Sequence, residues 1–211
     1  TNMIRSYIHR CQKDGVKIVM NCEVTPELIK EEKPDSVIIA TGSKTLILPI
    51  EGIDNPAIIH GSDLLDGKRA AGKKVLVVGG GMVGCETAAF LGEQEHDVTV
   101  IEFRDTVGAD VIHEHRVYLM KDFEDYGIKE ITGAKVCKFY EDGVEYETAD
   151  GVRHETRGYD SVILSMGFRN YNPLEEKIKD LVPETHVIGD AIRARRALDA
   201  TKEAYAVASK L

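Results

Sequence analysis

The stretch "KKVLVVGGGMVGCETAAFLGEQEHDVTVIEF", residues 73–103, constrains what this 211-residue chain can fold into more than any other segment. An apolar run, "KVLVV", leads into glycines spaced G-x-G-x-x-G, a helical pattern through Ala88, Ala89 and Leu91 follows, and "DVTVIE" closes the unit on an acid. In such a β-turn-α-β unit the first glycine, Gly79, makes the tight turn. The second, Gly81, lets the backbone approach a pyrophosphate, and the third, Gly84, lets helix and strand pack closely. The first amides of the helix and its dipole then favour an anion. Gly79, Gly80, Gly81, Met82, Val83 and Gly84 are therefore candidates to hold a dinucleotide. Glycines alone are a weak signal; here the flanking strand, helix and second strand supply the context, and the competing reading is a packing element with no nucleotide.

Glu102 stands where a carboxylate accepts hydrogen bonds from the adenosine ribose hydroxyls, which favours NADH and repels the extra phosphate of NADPH. Arg104 pulls the other way, because a guanidinium two residues on can accept a 2′-phosphate.

Composition narrows the class. With 43% hydrophobic and 30% charged residues the chain has a globular balance, and its length allows one or two domains. A net charge of −9 with dispersed Lys and Arg argues against nucleic acid, which needs a basic face. No apolar run approaches a membrane span and no signal-peptide core opens the chain, so a cytoplasmic protein is expected. Cys11, Cys22, Cys85 and Cys137 lack the close spacing of a zinc site, an iron–sulfur cluster or a redox dithiol and read as reduced thiols.

Along the chain, "NMIRSYIHRCQKDG" predicts a helix with Ile4, Tyr7, Ile8 and Cys11 on one face, and "VKIVMN" a buried strand. "TPELIKEE" predicts a short helix with Thr25 as N-cap and Pro26 in its first turn, and "SVIIATG" another strand. Residues 49–72 form a connector in which Ser62 caps one helical turn. After the fingerprint, "DVIHEHRVYLMKDFEDYG" predicts an amphipathic helix using Val111, Val117, Leu119, Met120 and Phe123. The turn signals Asp142-Gly143 and Asp150-Gly151 mark a three-stranded antiparallel meander. "SVILSMG" returns to a buried strand, and "HVIGDAIRARRALDATKEAYAVASKL" ends the chain with a short strand and a long helix. "SVIIATG" and "SVILSMG" share one pattern, an apolar strand running into a small-residue turn that ends in glycine. This implies two related nucleotide-binding domains, the first split around the second. The expected fold is α/β: a Rossmann-like nucleotide-binding domain (73–170) with an inserted antiparallel β-meander, plus part of a second, split FAD-type domain (1–48, returning at 171–211).

At "HVIGDAIRARRALDAT" the chain resembles the flavin-binding end of two-dinucleotide flavoproteins of the glutathione-reductase type, where an aspartate after strand-glycine binds the flavin ribitol. Gly189 and Asp190 match that pattern; the competing reading, Asp190 as a mere N-cap of the last helix, is compatible with it. "GDAIRARRALDATKEAY", "VIIATGSK", "PIEGIDN" and "VVGGGMVGCETAAFL" are similar to the carboxy-terminal region of NADH:flavin oxidoreductases related to 2-enoate reductase and 2,4-dienoyl-CoA reductase. The resemblance covers nearly all of the chain. It implies FAD and NAD(H) as cofactors, with Thr41, Gly42, Gly167, Gly189 and Asp190 at the cofactor-binding turns. It also implies that the chain is a fragment without the first βαβ of the FAD domain, and that FMN and a [4Fe–4S] centre belong to a missing amino-terminal barrel. On this reading hydride passes from NADH to FAD for reduction of an activated alkene elsewhere in the enzyme, and the fragment is inactive alone. The rivals are part of an NADH oxidase or disulfide reductase, and a non-catalytic NADH-binding domain; a homo-oligomer is left open.

Other signals are weaker. His113 and His115 point to different faces of a helix and make a poor metal pair. Arg193, Arg195 and Arg196 read equally as partners of the FAD pyrophosphate or the barrel and as a solvated charge run. The meander reads as a lid over the sheet. No residue stands out as a general acid, base or nucleophile, which suits a domain that positions cofactors.

Overall fold

The computed structural model describes residues 2–211. In chain order the elements begin with α1 (Asn2–Lys13), α2 (Pro26–Glu32), β1 (Ser36–Ile39), β2 (Ser43–Thr45), β3 (Ile59–His60), α3 (Gly61–Leu65), β4 (Lys74–Val78), α4 (Met82–Glu93), β5 (Asp97–Ile101) and α5 (His113–Asp125). They continue with β6 (Lys129–Ile131), β7 (Lys135–Tyr140), β8 (Gly143–Glu147), β9 (Arg153–Thr156), β10 (Ser161–Leu164), β11 (Phe168–Asn170), α6 (Glu175–Ile178), β12 (Glu184–Val187) and α7 (Ala197–Ala208). The chain forms two compact units. One runs up to Ser43 and resumes at Asn170; the other is Lys44–Arg169.

The Lys44–Arg169 unit is built on a five-stranded sheet in the order β3-β10-β4-β5-β6, with every neighbouring pair parallel. A parallel sheet is covered on both faces, so its strands read as unbroken apolar runs rather than alternating ones, as "KVLVV" and "SVIL" do. Val75, Val77, Val98, Val100 and Ile163 point to one face and pack on Cys85, Ala88 and Leu91 of α4 and on Leu119 and Phe123 of α5. Leu76, Val78, Ile101, Val162 and Leu164 point to the other, where Val136, Phe139 and Val144 of the antiparallel β7-β8-β9 meander cover them. Full burial of each such side chain stabilises by about 1.5–3 kcal/mol, so the meander is a structural layer of this unit. Residues 49–72 lie within the unit and supply β3 and α3.

In the other unit β1 and β12 pair in parallel from Ser36↔Glu184 to Ile39↔Val187. Ile29, Ile39, Leu174, Ile178, Val182 and Ala191 form its core. Helix α2 starts as its sequence requires, with the Thr25 hydroxyl accepting the Leu28 N–H at 3.3 Å and Pro26 in the first turn.

Three local expectations and one competing reading fail. "VKIVMN" forms no strand, and Val16, Ile18, Val19 and Met20 are exposed. Apolar, β-branched residues favour a strand only where a second strand offers its N–H and C=O groups, and none does among the described residues. Ser62 lies inside α3, whose N-cap is the extended residue His60. Val117 is exposed while Leu119 and Phe123 are buried, because two helical steps from Leu119 carry a side chain to the far side and four bring it back. Asp190 does not cap α7, whose N-cap is Arg196; it sits in a 3₁₀ turn, Gly189–Ala191. Among the described residues no helix is long and apolar enough to cross a membrane.

Candidate functional site

Strand β4 delivers the chain to the glycine turn at its carboxyl end, where the Gly79 N–H donates to Ile101 O at 2.9 Å. Gly79 has φ +104°, and a Cβ there would stand 2.4 Å from Ser165 O. A Cβ on Gly84 would meet Gly79 O at 1.8 Å, a backbone clash that no rotamer relieves, so the first turn of α4 can lie against the glycine turn only without a side chain. Gly81 differs. Its φ is an ordinary −73°, and the atoms nearest to an added Cβ are the Asp110 carboxylate's, from 3.3 Å. What stands closest above Gly81 is thus the end of an exposed side chain and not backbone.

Two carboxylates attend this turn. Glu102, just past the end of β5, accepts the Gly80 N–H through Oε2 at 2.5 Å and the Arg104 N–H through Oε1 at 2.9 Å. Asp110 Oδ1 accepts the Met82 N–H, the first amide of α4, at 3.0 Å. The intervening loop is tied down: Gly108 N–H donates to Gly80 O at 2.7 Å, and Arg116 Nη2 donates to Thr106 Oγ1 at 2.9 Å and to Val107 O at 3.2 Å. Val83 O accepts the Thr87 hydroxyl at 2.7 Å within α4. Gly167, at φ +95°, follows Ser165 and Met166, the residues that line Gly79. Arg104 is exposed and joins the local backbone through its carbonyl, which accepts the Gly133 N–H at 2.9 Å. Cys85 is fully buried below the turn and donates to Gly80 O at 3.2 Å; burial pushes its thiol up to about 12.

The remaining candidates gather in the other unit. The Thr41 hydroxyl donates to Tyr171 O, and Gly42 O accepts the Tyr171 N–H at 3.0 Å. The Ser43 hydroxyl donates to Asp190 Oδ2 at 3.2 Å, joining the 41–43 turn to Asp190, whose Oδ1 accepts the Arg195 N–H at 3.0 Å. Gly189 donates its N–H to Glu203 Oε2 at 2.7 Å. The Arg195 guanidinium, together with that N–H, holds the Glu203 carboxyl below the ordinary carboxylate range. Arg196 pairs with Asp199 at 3.6 Å. Sequence reasoning passed over Asp110, Ser43 and Glu203, because each acts on a residue distant in sequence.

His115 lies 3.9 Å from Glu86. Among the described residues no group of three or more His, Cys, Asp or Glu could hold a metal ion, and all four cysteines are free.

The profile of the family described as "Pyridine nucleotide-disulphide oxidoreductase" matches residues 2–188. Cinnamate reductase from Clostridium sporogenes is 30% identical over 200 residues, which cover 93% of this chain and 30% of that protein. NADH oxidase from Thermoanaerobacter brockii is 32% identical over 199 residues, covering 92% and 30%. A solved 2-naphthoyl-CoA reductase in complex with 2-naphthoyl-CoA superposes with a TM-score of 0.89 at 31% identity over 99% of this chain and 32% of that one. The chain thus spans about a third of the length of these relatives. The expected similarity to the enoate-reductase branch and the expected α/β nucleotide-binding fold are both borne out.

Proposed function

Because this chain belongs to the pyridine nucleotide-disulphide oxidoreductase family, we propose that its Lys44–Arg169 unit binds NADH at the turn Gly79–Gly84. The observation that carries this reading is the helix start: the atoms nearest to an added Cβ on Gly81 belong to the exposed Asp110 side chain, and that carboxylate already lies on the first amide of α4. A pyrophosphate needs the same donor, since the amino end of a helix combines free N–H groups with a favourable dipole. Met82 and Val83 would contribute amides to the pyrophosphate, and Gly167 would border the turn. Glu102, held by two backbone N–H groups, would present its carboxylate to the adenosine ribose and oppose a 2′-phosphate. Arg104 is the group that would favour that phosphate.

In the other unit Thr41, Gly42, Gly189 and Asp190 would meet FAD, with Asp190 at the ribitol and Ser43 orienting its carboxylate. NADH, when bound, supplies a hydride and FAD accepts it. The chain's own residues bind and orient. The reading is of an NADH-binding electron-input part of a longer flavin-dependent oxidoreductase acting on an activated alkene of the enoate or enoyl-CoA type, and the named reductases among its relatives support it. An NADH oxidase reading has the Thermoanaerobacter brockii relative in its favour.

Calorimetric titration with NADH and NADPH tests the binding step. Saturable binding with NADH preferred is expected, and absence of binding refutes the reading. Anaerobic NADH consumption by the longer polypeptide, with and without an enoate, separates the alkene reading from the oxidase one.

A further inference from the structure

The loop that connects β5 to α5 carries an acid where the proposed ligand would carry its own negative charge. Asp110 accepts the Met82 N–H at 3.0 Å, and its carboxylate atoms lie 3.3–3.7 Å from the position of a Cβ on Gly81. These are the two backbone positions that a dinucleotide pyrophosphate must approach. The carboxylate therefore takes the donor and fills the space that the pyrophosphate would take. Asp110 is also exposed, so no packing obliges it to remain there. Its backbone, in contrast, has little freedom. Gly108 is bonded to Gly80 at 2.7 Å, Val111 N–H donates to Gly108 O at 3.1 Å, and Arg116 clamps Thr106 and Val107. Val107 itself is buried.

We infer that Asp110 is a gate on the nucleotide turn: its carboxylate occupies the Met82 amide in the free protein and must rotate away when a dinucleotide binds. This rests on the assignment of NADH to the Gly79–Gly84 turn. Because the loop is anchored on both sides of Asp110, the gate is the side chain and not the loop. Two consequences lower the apparent affinity for any pyrophosphate ligand. The Met82 N–H is already satisfied, so binding exchanges one charge-assisted hydrogen bond for another and does not add one. The displaced carboxylate also remains beside the ligand as a like charge. In return the free protein keeps the start of α4 capped by a side chain from another element; its own N-cap residue, Gly81, has none to offer. Asp110 is thus a positioning residue for the empty turn and an affinity-setting residue for the filled one.

A purely structural cap and a gate differ in the sign of one measurement. Asp110→Asn keeps the acceptor and removes the charge; Asp110→Ala removes both. The test is calorimetric titration of the full chain and both variants with NADH at low ionic strength, with thermal melting in the absence of nucleotide to monitor the fold. Asp110→Asn is expected to bind NADH about two- to fivefold more tightly than the unmodified chain, the size of a single charge effect at a helix terminus, and its ligand-free melting temperature should not rise. Unchanged or weaker binding by Asp110→Asn, with the unmodified chain binding normally, overturns the gate and leaves the nucleotide site standing. Absence of NADH binding by the unmodified chain and both variants overturns the site assignment, and the gate with it. If Asp110→Ala proves unstable, Asp110→Asn decides alone.

Discussion

Glu102 and Gly80 are joined by a hydrogen bond of 2.5 Å in which the carboxylate at the end of one strand accepts a backbone N–H from the glycine turn at the end of its neighbour. The acid expected at the ribose is therefore part of the turn's own framework. Its other oxygen, held by the Arg104 N–H at 2.9 Å, fixes the plane of the carboxylate. Removing this side chain alters the ligand's partner and the turn together.

Glu102→Arg is expected to invert cofactor preference, because a guanidinium attracts the 2′-phosphate that the carboxylate repels. NADH affinity should fall by about tenfold or more, the scale of losing a hydrogen bond to a charged group. Glu102→Gln, which keeps one oxygen acceptor without the charge, should lose less NADH affinity and narrow the gap to NADPH. Titration with both cofactors checks this, and tighter NADPH binding by the unmodified chain would remove Glu102 from its assigned role.

Gly81 and Gly84 should separate binding from folding. Gly81→Val places a branched side chain against the Asp110 carboxylate, 3.3 Å from the added Cβ; that carboxylate ends an exposed side chain that can swing aside, so the melting temperature should change little while NADH binding is abolished. Gly84→Ala drives a Cβ against Gly79 O, forcing α4 off the turn. It should lower stability by several kcal/mol, on the order of other overpacked interiors or beyond. Circular dichroism melts run beside the titrations distinguish the two outcomes.

The chain on its own should not retain FAD. Asp190 is already bonded by Ser43 and Arg195, and the Gly189 N–H by Glu203. Flavin would replace these bonds and add few, each being worth about 0.5–1.5 kcal/mol net. After mixing with FAD and desalting, the visible spectrum should show far less than one flavin per chain; a ratio near one would refute this assignment of partners.

Cys85 should remain a protonated, unreactive thiol at neutral pH, because burial raises it from 9.0 to about 12. The sign follows from linkage: the unfolded chain loses the proton first, so the stabilisation is complete below pH 9. It then declines by about 1.4 kcal/mol per pH unit towards pH 12. Native thiol titration at pH 8 should label exposed Cys22 and leave Cys85 untouched until denaturant is added. Prompt labelling of Cys85 in the folded chain would contradict its burial.

What the sequence made legible was local. The glycine spacing, the apolar run before it and the acid at its end lie within one supersecondary unit, where each residue's requirement can be read from its neighbours. The Thr25 cap and the Asp142-Gly143 turn are legible for the same reason. Asp110 on Met82, Ser43 on Asp190 and Glu203 on Gly189 are not, because each pairs positions whose proximity only the folded backbone creates. "VKIVMN" shows the converse: a local preference for extended structure is not enough without a neighbouring strand.

The position of β10 between β3 and β4 bears on how the molecule is made. Strand β4 is flanked by β5, which follows it closely, and by β10, which is separated from it by two helices, two strands and the whole meander. During synthesis the glycine turn and its helix leave the ribosome long before Ser161–Leu164. Until that strand arrives, one edge of β4 stays unpaired. Pairings of high sequence separation form slowly, and an unpaired apolar strand edge invites other chains. The nucleotide unit should therefore complete late and nearly all at once, so that a stall before residue 161 leaves a nascent chain that has its fingerprint but no finished sheet to hold it.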